Sequence, residues 1–334
     1  LNHHLQDKYV YAMDIGGTHV RVALISLQQG RIFDFCYLPY QEKQVLSEVL
    51  DIYIDQLEKL PIRCEISQKD VIGIGVSFPG LIDRNTGSVV TWPNRPMWEG
   101  FRLAEYLENK LQLTVVIEED ANAIAFGEVK YGQYETDSLL SVVIGTGIGS
   151  GLIINGELFS GLGWSGEIGH TRIIPKGGPV CVCGQEGCLQ ALASGEAILN
   201  AAREKVKASE MSVHLESGYD VSYLAYNGSE WATEIFEKSA DWLALGIANV
   251  IRMYDVKKII LGGGVMEAGE LIYEPFIKSL HSYLEGWPRV KEIQVEISSL
   301  GAQAGIFGAA AIIINHLERE YKHGEFENIG WKRV

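Results

Sequence analysis

No run in this chain approaches the roughly eighteen consecutive apolar residues that a membrane-spanning helix needs. Its start, Leu1-Asn2-His3-His4, lacks the basic and apolar segments of a signal peptide. Both absences make the cytoplasm the expected location. Basic residues are scarce, 28 lysines and arginines against 43 aspartates and glutamates, for a formal net charge of −15. A general affinity for nucleic acid or anionic membranes needs a basic surface, so neither is expected as a partner. Anionic small ligands stay open, because backbone amides bind phosphate through a local field even on an acidic protein. Low-complexity sequence is missing too, so no linker separates the halves of the chain. Cysteine numbers five, and Cys36 and Cys64 lie in apolar stretches that suit core thiols.

The other three cysteines are clustered. Glu167-Ile168-Gly169-His170 is followed by Cys181-Val182-Cys183-Gly184-Gln185-Glu186-Gly187-Cys188. One imidazole and three thiols supply the four soft ligands of a closed tetrahedral zinc site, and Gly184 and Gly187 let the chain turn between them. A disulfide, or simply buried thiols, are the plainer readings. Four protein ligands leave no open position, so the zinc would be structural and would fix Glu167 and His170. Three residues apart, these two would face one side of a helical turn, although a solvated charge is the plain reading of Glu167.

A length of 334 residues suits two α/β domains. Apolar patterning predicts strands over residues 9–14, 20–26, 32–37, 71–77 and 114–117, with helices over 45–60 and 103–111 and a loop rich in Gly, Pro and Trp over 86–100. Strands over 139–144 and 151–155 then flank a second glycine turn, Gly145-Thr146-Gly147-Ile148-Gly149. Helices follow near 195–206 and 231–253, a strand at 258–261, the turn Gly262-Gly263-Gly264, a strand at 293–297 and a small-residue helix at 305–317. Strand, glycine turn, strand occurs twice, as in an internal duplication of two mixed sheets facing one another across a cleft. The expected domains are residues 1–118 with the C-terminal helix at about 303–334, and residues 119–302.

Asp14-Ile15-Gly16-Gly17-Thr18 puts a carboxylate at a strand end, followed by two residues with no side chain to block a phosphate. Amides of that turn and the Thr18 hydroxyl can cradle anionic oxygens while Asp14 holds a hydrated magnesium; a tight hairpin with no ligand is the plain alternative. Gly145-Thr146-Gly147 offers the same physics, and Gly262-Gly263-Gly264 is a third place where backbone could approach a nucleotide. Asp120 follows a strand and opens the helical stretch Ala121-Asn122-Ala123, so it suits an N-cap or a carboxylate that takes a proton from an alcohol.

These residues resemble the ROK family of sugar kinases, a branch of the actin, heat-shock ATPase and hexokinase superfamily. The likeness runs from Asp14 to about Ala311 and also takes in Pro79-Gly80 and Leu261-Gly262-Gly263-Gly264-Val265. It implies an α/β fold of two actin/hexokinase-like (ribonuclease H-like) domains with a zinc knuckle, and transfer of the γ-phosphoryl group of ATP to a hexose hydroxyl, usually on carbon six. By that resemblance Asp120 is the general base. The turns at Asp14, Gly16, Gly17 and Thr18 and at Gly145, Thr146 and Gly147 hold the phosphates with Mg2+, and Gly262, Gly263 and Gly264 flank adenosine. Gly80, Asn94, Glu119, Glu167, His170 and Gln190 contact the sugar, with His170, Cys181, Cys183 and Cys188 on Zn2+. Family members often form dimers, so the resemblance also admits a homodimer.

Two departures fall among the sugar contacts. The residue before the base is commonly Asn and is Glu119 here; the one two places after the last zinc cysteine is commonly Glu and is Gln190. Both exchanges alter the hydrogen-bonding pattern offered to a ring, so a different hexose, an N-acetyl hexosamine or a glycoside stands beside glucose. Glu119 beside Asp120 would also raise a carboxyl pKa unless a cation or hydroxyl intervenes. His19 stands where the family often has Lys and is expected to make only a surface contact. Some family members are repressors with an N-terminal helix-turn-helix segment, whereas about eight residues precede the first expected strand here. A catalytically silent sugar sensor is a second rival, against which the retained Asp120 and phosphate turns argue; a superfamily ATPase acting on proteins is a third, and it gives no reason for the sugar-site Glu and the zinc knuckle.

Overall fold

The computed structural model describes residues 7–41 and 45–322. In chain order these form β1 (Tyr9–Ile15), β2 (His19–Ser26), β3 (Ile32–Pro39), α1 (Leu46–Arg63), β4 (Val71–Phe78), β5 (Leu81–Asp83), β6 (Ser88–Thr91), α2 (Leu103–Leu111), β7 (Thr114–Glu119) and α3 (Asp120–Tyr131). Next come β8 (Leu139–Ile144), β9 (Ile148–Ile154), β10 (Glu157–Leu158), α4 (Leu189–Ala193), α5 (Gly195–Ala208), α6 (Gly218–Tyr226), α7 (Glu230–Tyr254), β11 (Lys258–Gly262), α8 (Glu270–Tyr283), β12 (Gln294–Ile297) and α9 (Ala304–Lys322). Among the described residues no helix is long and apolar enough to cross a membrane.

The described residues group into two compact units, one drawn from 1–134 and 302–334, the other from 135–301. Each holds a five-stranded sheet, and the two sheets share one order: β3-β2-β1-β4-β7 in the first and β10-β9-β8-β11-β12 in the second. In both, three strands form an antiparallel meander and two more join in parallel. The recurring strand, glycine turn, strand signal is thus the start of two sheets of like topology.

In the first unit, β1 is buried at every residue, because both faces of its sheet are covered. Tyr11, Met13 and Ile15 enter a core shared with Leu50, Tyr53 and Leu57 of α1, while Val10 and Ala12 point to the opposite face and meet Ile306, Ala309 and Ile313 of α9. The two-residue alternation of a strand makes that division. Helix α9 lies so close to the sheet that a Cβ on Gly75 of β4 would stand 1.8 Å from the Ala309 carbonyl oxygen. It crosses α3 at a similar approach, with a Cβ on Gly308 placed 2.6 Å from the Ala123 backbone. This packing keeps α3, and with it Asp120, in the first unit, so the observed boundary at 134 lies beyond the 118 read from the sequence.

The second unit has one continuous core, in which Leu243, Ile247 and Ile251 of α7 meet Ile259 and Leu261 of β11 and Ile272, Phe276 and Leu280 of α8. Several elements have no counterpart in the sequence pattern, among them β5, β6, β10, α4, α6 and α8. Strands β5 and β6 are three and four residues long, too short for alternation to register. Helix α8 contains Pro275, which reads as a helix stop, and α6 exposes Tyr219, Tyr223 and Tyr226 and so lacks a clean apolar stripe.

Since the Ala309 carbonyl is held by the helix and cannot retreat, Gly75→Ala is expected to lower stability by about 2 kcal/mol or more. Chemical denaturation measures it. A wild-type midpoint would contradict the close approach of α9.

Candidate active site and metal cluster

The first glycine turn joins β1 to β2, closed by a hydrogen bond from Gly16 N–H to the His19 carbonyl at 2.8 Å. Gly17 and Thr18 are exposed, and nothing lies within 4 Å of where a Gly17 Cβ would stand, so an anion can reach the main chain. Asp14 is only 7 % exposed. Its Oδ2 accepts from Arg21 Nη1 at 2.8 Å and its Oδ1 from Ser77 Oγ at 3.0 Å. Gly305, in the first turn of α9, packs on that carboxylate, where a Cβ would stand 2.4 Å away. With both oxygens engaged, Asp14 suits a magnesium reached through water rather than bound directly. The sequence reading passed over Arg95, whose Nη2 donates to the Gly17 carbonyl at 3.0 Å.

Asp120 is the first residue of α3, immediately after β7. The N-cap is Glu119, and Asp120 does not cap the helix: its Oδ1 accepts from its neighbour Ala121 N–H at 2.6 Å. Its two predecessors are buried, at 7 % exposure for Glu118 and 8 % for Glu119, whereas Asp120 is exposed. Arg84 grips Glu118 with two bonds, Nε to Oε2 at 2.8 Å and Nη2 to Oε1 at 2.7 Å. Glu118 Oε1 also accepts from the Glu119 N–H at 3.0 Å. Asn122 Nδ2 donates to Glu119 Oε2 at 3.2 Å, drawing that carboxylate along the helix. A buried, charge-assisted network therefore stands behind an exposed carboxylate at a strand–helix junction. Asn94 is exposed in the turn after β6, and Gly80 packs against the Thr91 carbonyl, where a Cβ would stand 2.5 Å away.

In the second unit the Gly145 turn joins β8 to β9, with Gly145 N–H bonded to the Gly147 carbonyl at 2.9 Å and Gly195 N–H to the Gly145 carbonyl at 2.8 Å. Gln190 reaches the same turn, its Oε1 accepting from Ile148 N–H at 3.1 Å. That donor fixes which end of the amide faces the turn. Beside it opens a cavity of about 310 Å³ whose walls include Gly145, Thr146, Ile198, Tyr219, Gly264 and Val265. Of the three glycines expected near adenosine, Gly264 lines this cavity, while Gly263 stands behind it at φ 90°, against Ile144, and Gly262 ends β11 beside Ser298. One wall, residues 216–222, went unrecognised. Its signal is the capping box of Ser217 and Asp220 that opens α6. Tyr219 ties the wall to the next one by donating to Glu267 Oε2 at 2.6 Å.

His170, Cys181, Cys183 and Cys188 converge, with ligand atoms all within 4.8 Å of one another. Cys183 Sγ lies 3.7 Å from Cys188 Sγ, and Cys181 Sγ lies 3.5 Å from His170 Nδ1. Zinc bonds of about 2.3 Å to sulfur and 2.0–2.1 Å to nitrogen set tetrahedral edges of about 3.8 and 3.5 Å, so the cluster fits that ion. None of these thiols lies in a disulfide. Burial pushes the Cys188 thiol up to about 12, an obstacle to ionisation that a divalent cation would remove. On the other side of the imidazole, His170 Nε2 stands 3.9 Å from Glu167 Oε2. Surrounding protein raises the Glu167 carboxyl above its ordinary value through desolvation, with His170 pulling it back, although the side chain keeps 43 % of its surface open.

A profile of the ROK family matches residues 10–316. The chain belongs to the ROK family. It is 31 % identical to a glucokinase of Halalkalibacterium halodurans over 320 residues, covering 92 % of this chain and 96 % of that one. It is also 31 % identical to a xylose repressor of Bacillus spizizenii over 311 residues, covering 92 % of this chain and 77 % of the repressor. The crystal structure of a ROK glucokinase from Streptomyces griseus in complex with glucose and AMPPNP superposes with a TM-score of 0.77 at 30 % identity, covering 91 % of this chain and 98 % of that one. The fold, two sheets with helices, is that of ROK hexokinases.

Given the convergence of the four donors, purified protein is expected to carry one zinc per chain by elemental analysis, and Cys181→Ser to lose most of it. A metal-free wild type that takes up no added zinc would contradict this.

Proposed function

We propose that this protein is an ATP-dependent hexose kinase that moves the γ-phosphoryl group of ATP to a sugar hydroxyl, the 6-hydroxyl of the ring. The observation that carries the reading is Asp120, an exposed carboxylate at the end of β7 with a buried Arg84–Glu118–Asn122 network behind it, in a chain that belongs to the ROK family. Phosphoryl transfer asks the protein for alignment and charge neutralisation more than for covalent help. Asp120 accepts the proton of the attacking hydroxyl. The Gly16–Thr18 and Gly145–Gly147 turns offer amides to the phosphates, and the cavity beside Gly264 receives the adenosine. Magnesium, arriving with ATP, supplies charge neutralisation on the phosphate oxygens.

Zinc in the Cys/His cluster would be structural, with His170 and the neighbouring Glu167 held for the sugar. Of the two departures from the family pattern, Gln190 offers its carbonyl to the turn and keeps its amide N–H groups as donors, whereas an ionised Glu there would only accept. Glu119 leans on Asn122, so its effect on the sugar reaches the ring through the base of α3. Glucose, another hexose, an N-acetyl hexosamine and a glycoside are the substrates to compare. The likeness to xylose repressors favours a second reading, a sugar-binding regulator without turnover. Both readings suit a cytoplasmic protein.

Asp120→Asn is expected to cut turnover about a hundredfold or more in a coupled ADP-release assay while leaving sugar affinity and fold in place. A near wild-type rate would remove Asp120 from the mechanism.

A further inference from the structure

We infer that Tyr219 receives the nucleobase, its ring stacking on the base, and that Glu267 is the positioning residue that holds the ring for it. This rests on the kinase reading above and names what would select the nucleotide. Tyr219 is the second residue of α6 and forms part of the wall of the cavity of about 310 Å³, which lies within the second unit. Ile198 and Leu199 of α5, the buried Phe236 of α7 and Val265 line the same space, so it suits a flat apolar body with a polar edge left at the rim. Gly145 and Thr146 line it as well. Phosphates held at that turn would bring their base into this cavity.

Tyr219 is 59 % exposed, and a side chain so open to water has little packing to settle its rotamer. What settles it is the phenol, which donates to Glu267 Oε2 at 2.6 Å across 48 residues of sequence. The carboxylate holds that phenol above its ordinary pKa, so the hydroxyl stays protonated and keeps donating. A bond between two exposed side chains adds little to the stability of a fold. Its effect is to fix the ring, and a side chain ordered before the ligand arrives need not be ordered by it.

The helix that carries the ring is pinned at both ends. Asp220 Oδ2 accepts from the N–H groups of Glu216 and Ser217, each at 2.8 Å, and closes the first turn. At the far end Tyr226 donates to the Ala268 carbonyl at 2.8 Å. Two phenols of α6 thus tie one wall of the cavity to the neighbouring wall, residues 264–268. Tyr223, on the same helix, is exposed and stands outside the cavity wall. Stacking on an aromatic ring is open to every base, because each has a π face, and two-ring purines offer more of it than pyrimidines. A wall that binds in this way prefers ATP to UTP through ring size rather than through a hydrogen-bond pattern.

The test uses the purified full chain. Tyr219→Ala removes ring and tie, Tyr219→Phe keeps the ring, Glu267→Ala removes the acceptor, Glu267→Gln keeps one, and Tyr223→Ala is the control for α6. For each, the dissociation constants of ATP and UTP with magnesium, the sugar affinity, and KM and kcat for ATP are measured. Tyr219→Ala is expected to weaken ATP about five- to a hundredfold and to bring the preference for ATP over UTP toward one, the loss falling on KM rather than on kcat at saturation. Tyr219→Phe and Glu267→Ala are expected to weaken ATP about two- to tenfold, and Glu267→Gln to recover most of that loss. Unchanged ATP affinity and preference in Tyr219→Ala overturns the role of the ring. An equal loss in Tyr223→Ala overturns it too, since the effect would then belong to α6 as a whole. Unchanged ATP affinity in Glu267→Ala overturns the role of Glu267. Each of these leaves the kinase reading standing, whereas a wild type that binds neither nucleotide and phosphorylates no sugar overturns both.

Discussion

Close approach with no Cβ in the way sets the geometry of the first unit. At Gly75 the α9 helix rests on β4, at Gly308 it rests on α3, and at Gly305 it rests on the carboxylate of Asp14. An alanine at any of these would push the helix off by more than a core of this density absorbs. Because α9 stays down, α3 is held against β7, Asp120 keeps its place at the strand end, and Asp14 is fixed between Arg21, Ser77 and the helix start. The same absence of side chain at Gly17 is used differently, to leave the turn open.

Both sheets place a glycine turn at the same structural position. The first strand of each meander ends in a glycine turn closed by one backbone bond, Gly16 to His19 and Gly145 to Gly147, and the strand after the turn returns along it. What differs is the support behind each turn. In the first unit it is polar and charged, from Arg95, Arg21 and Asp14; in the second it comes from Gln190, the start of α5 and an apolar cavity. An ionic support suits an anion, and an apolar cavity suits a flat apolar group.

Much of this was legible in the sequence because it depends on local pattern. Alternation and glycine turns mark most strands of both sheets, and the His170 and cysteine spacing marks a candidate metal cluster, whose donors converge. What escaped depends on contacts between distant segments. Arg95 lies 78 residues from Gly17, Arg84 lies 34 from Glu118 and Gln190 lies 42 from Ile148, separations at which composition gives no signal. Helix α8 escaped for a local reason, since Pro275 signals an end where packing of Ile272, Phe276 and Leu280 continues the helix. The side-chain direction of Glu119 follows from Asn122 one turn along, a choice made by the helix rather than by the residue's type.

A kinase phosphorylates its sugar, whereas a regulator only binds it. Phosphorus NMR of the wild-type protein with magnesium, ATP and a panel of hexoses, N-acetyl hexosamines and glycosides separates the two directly. A new phosphomonoester resonance is expected with one of these sugars, growing in step with ADP. A sugar that binds by calorimetry while ATP persists unchanged across the whole panel would contradict the kinase reading and leave the regulator reading in its place.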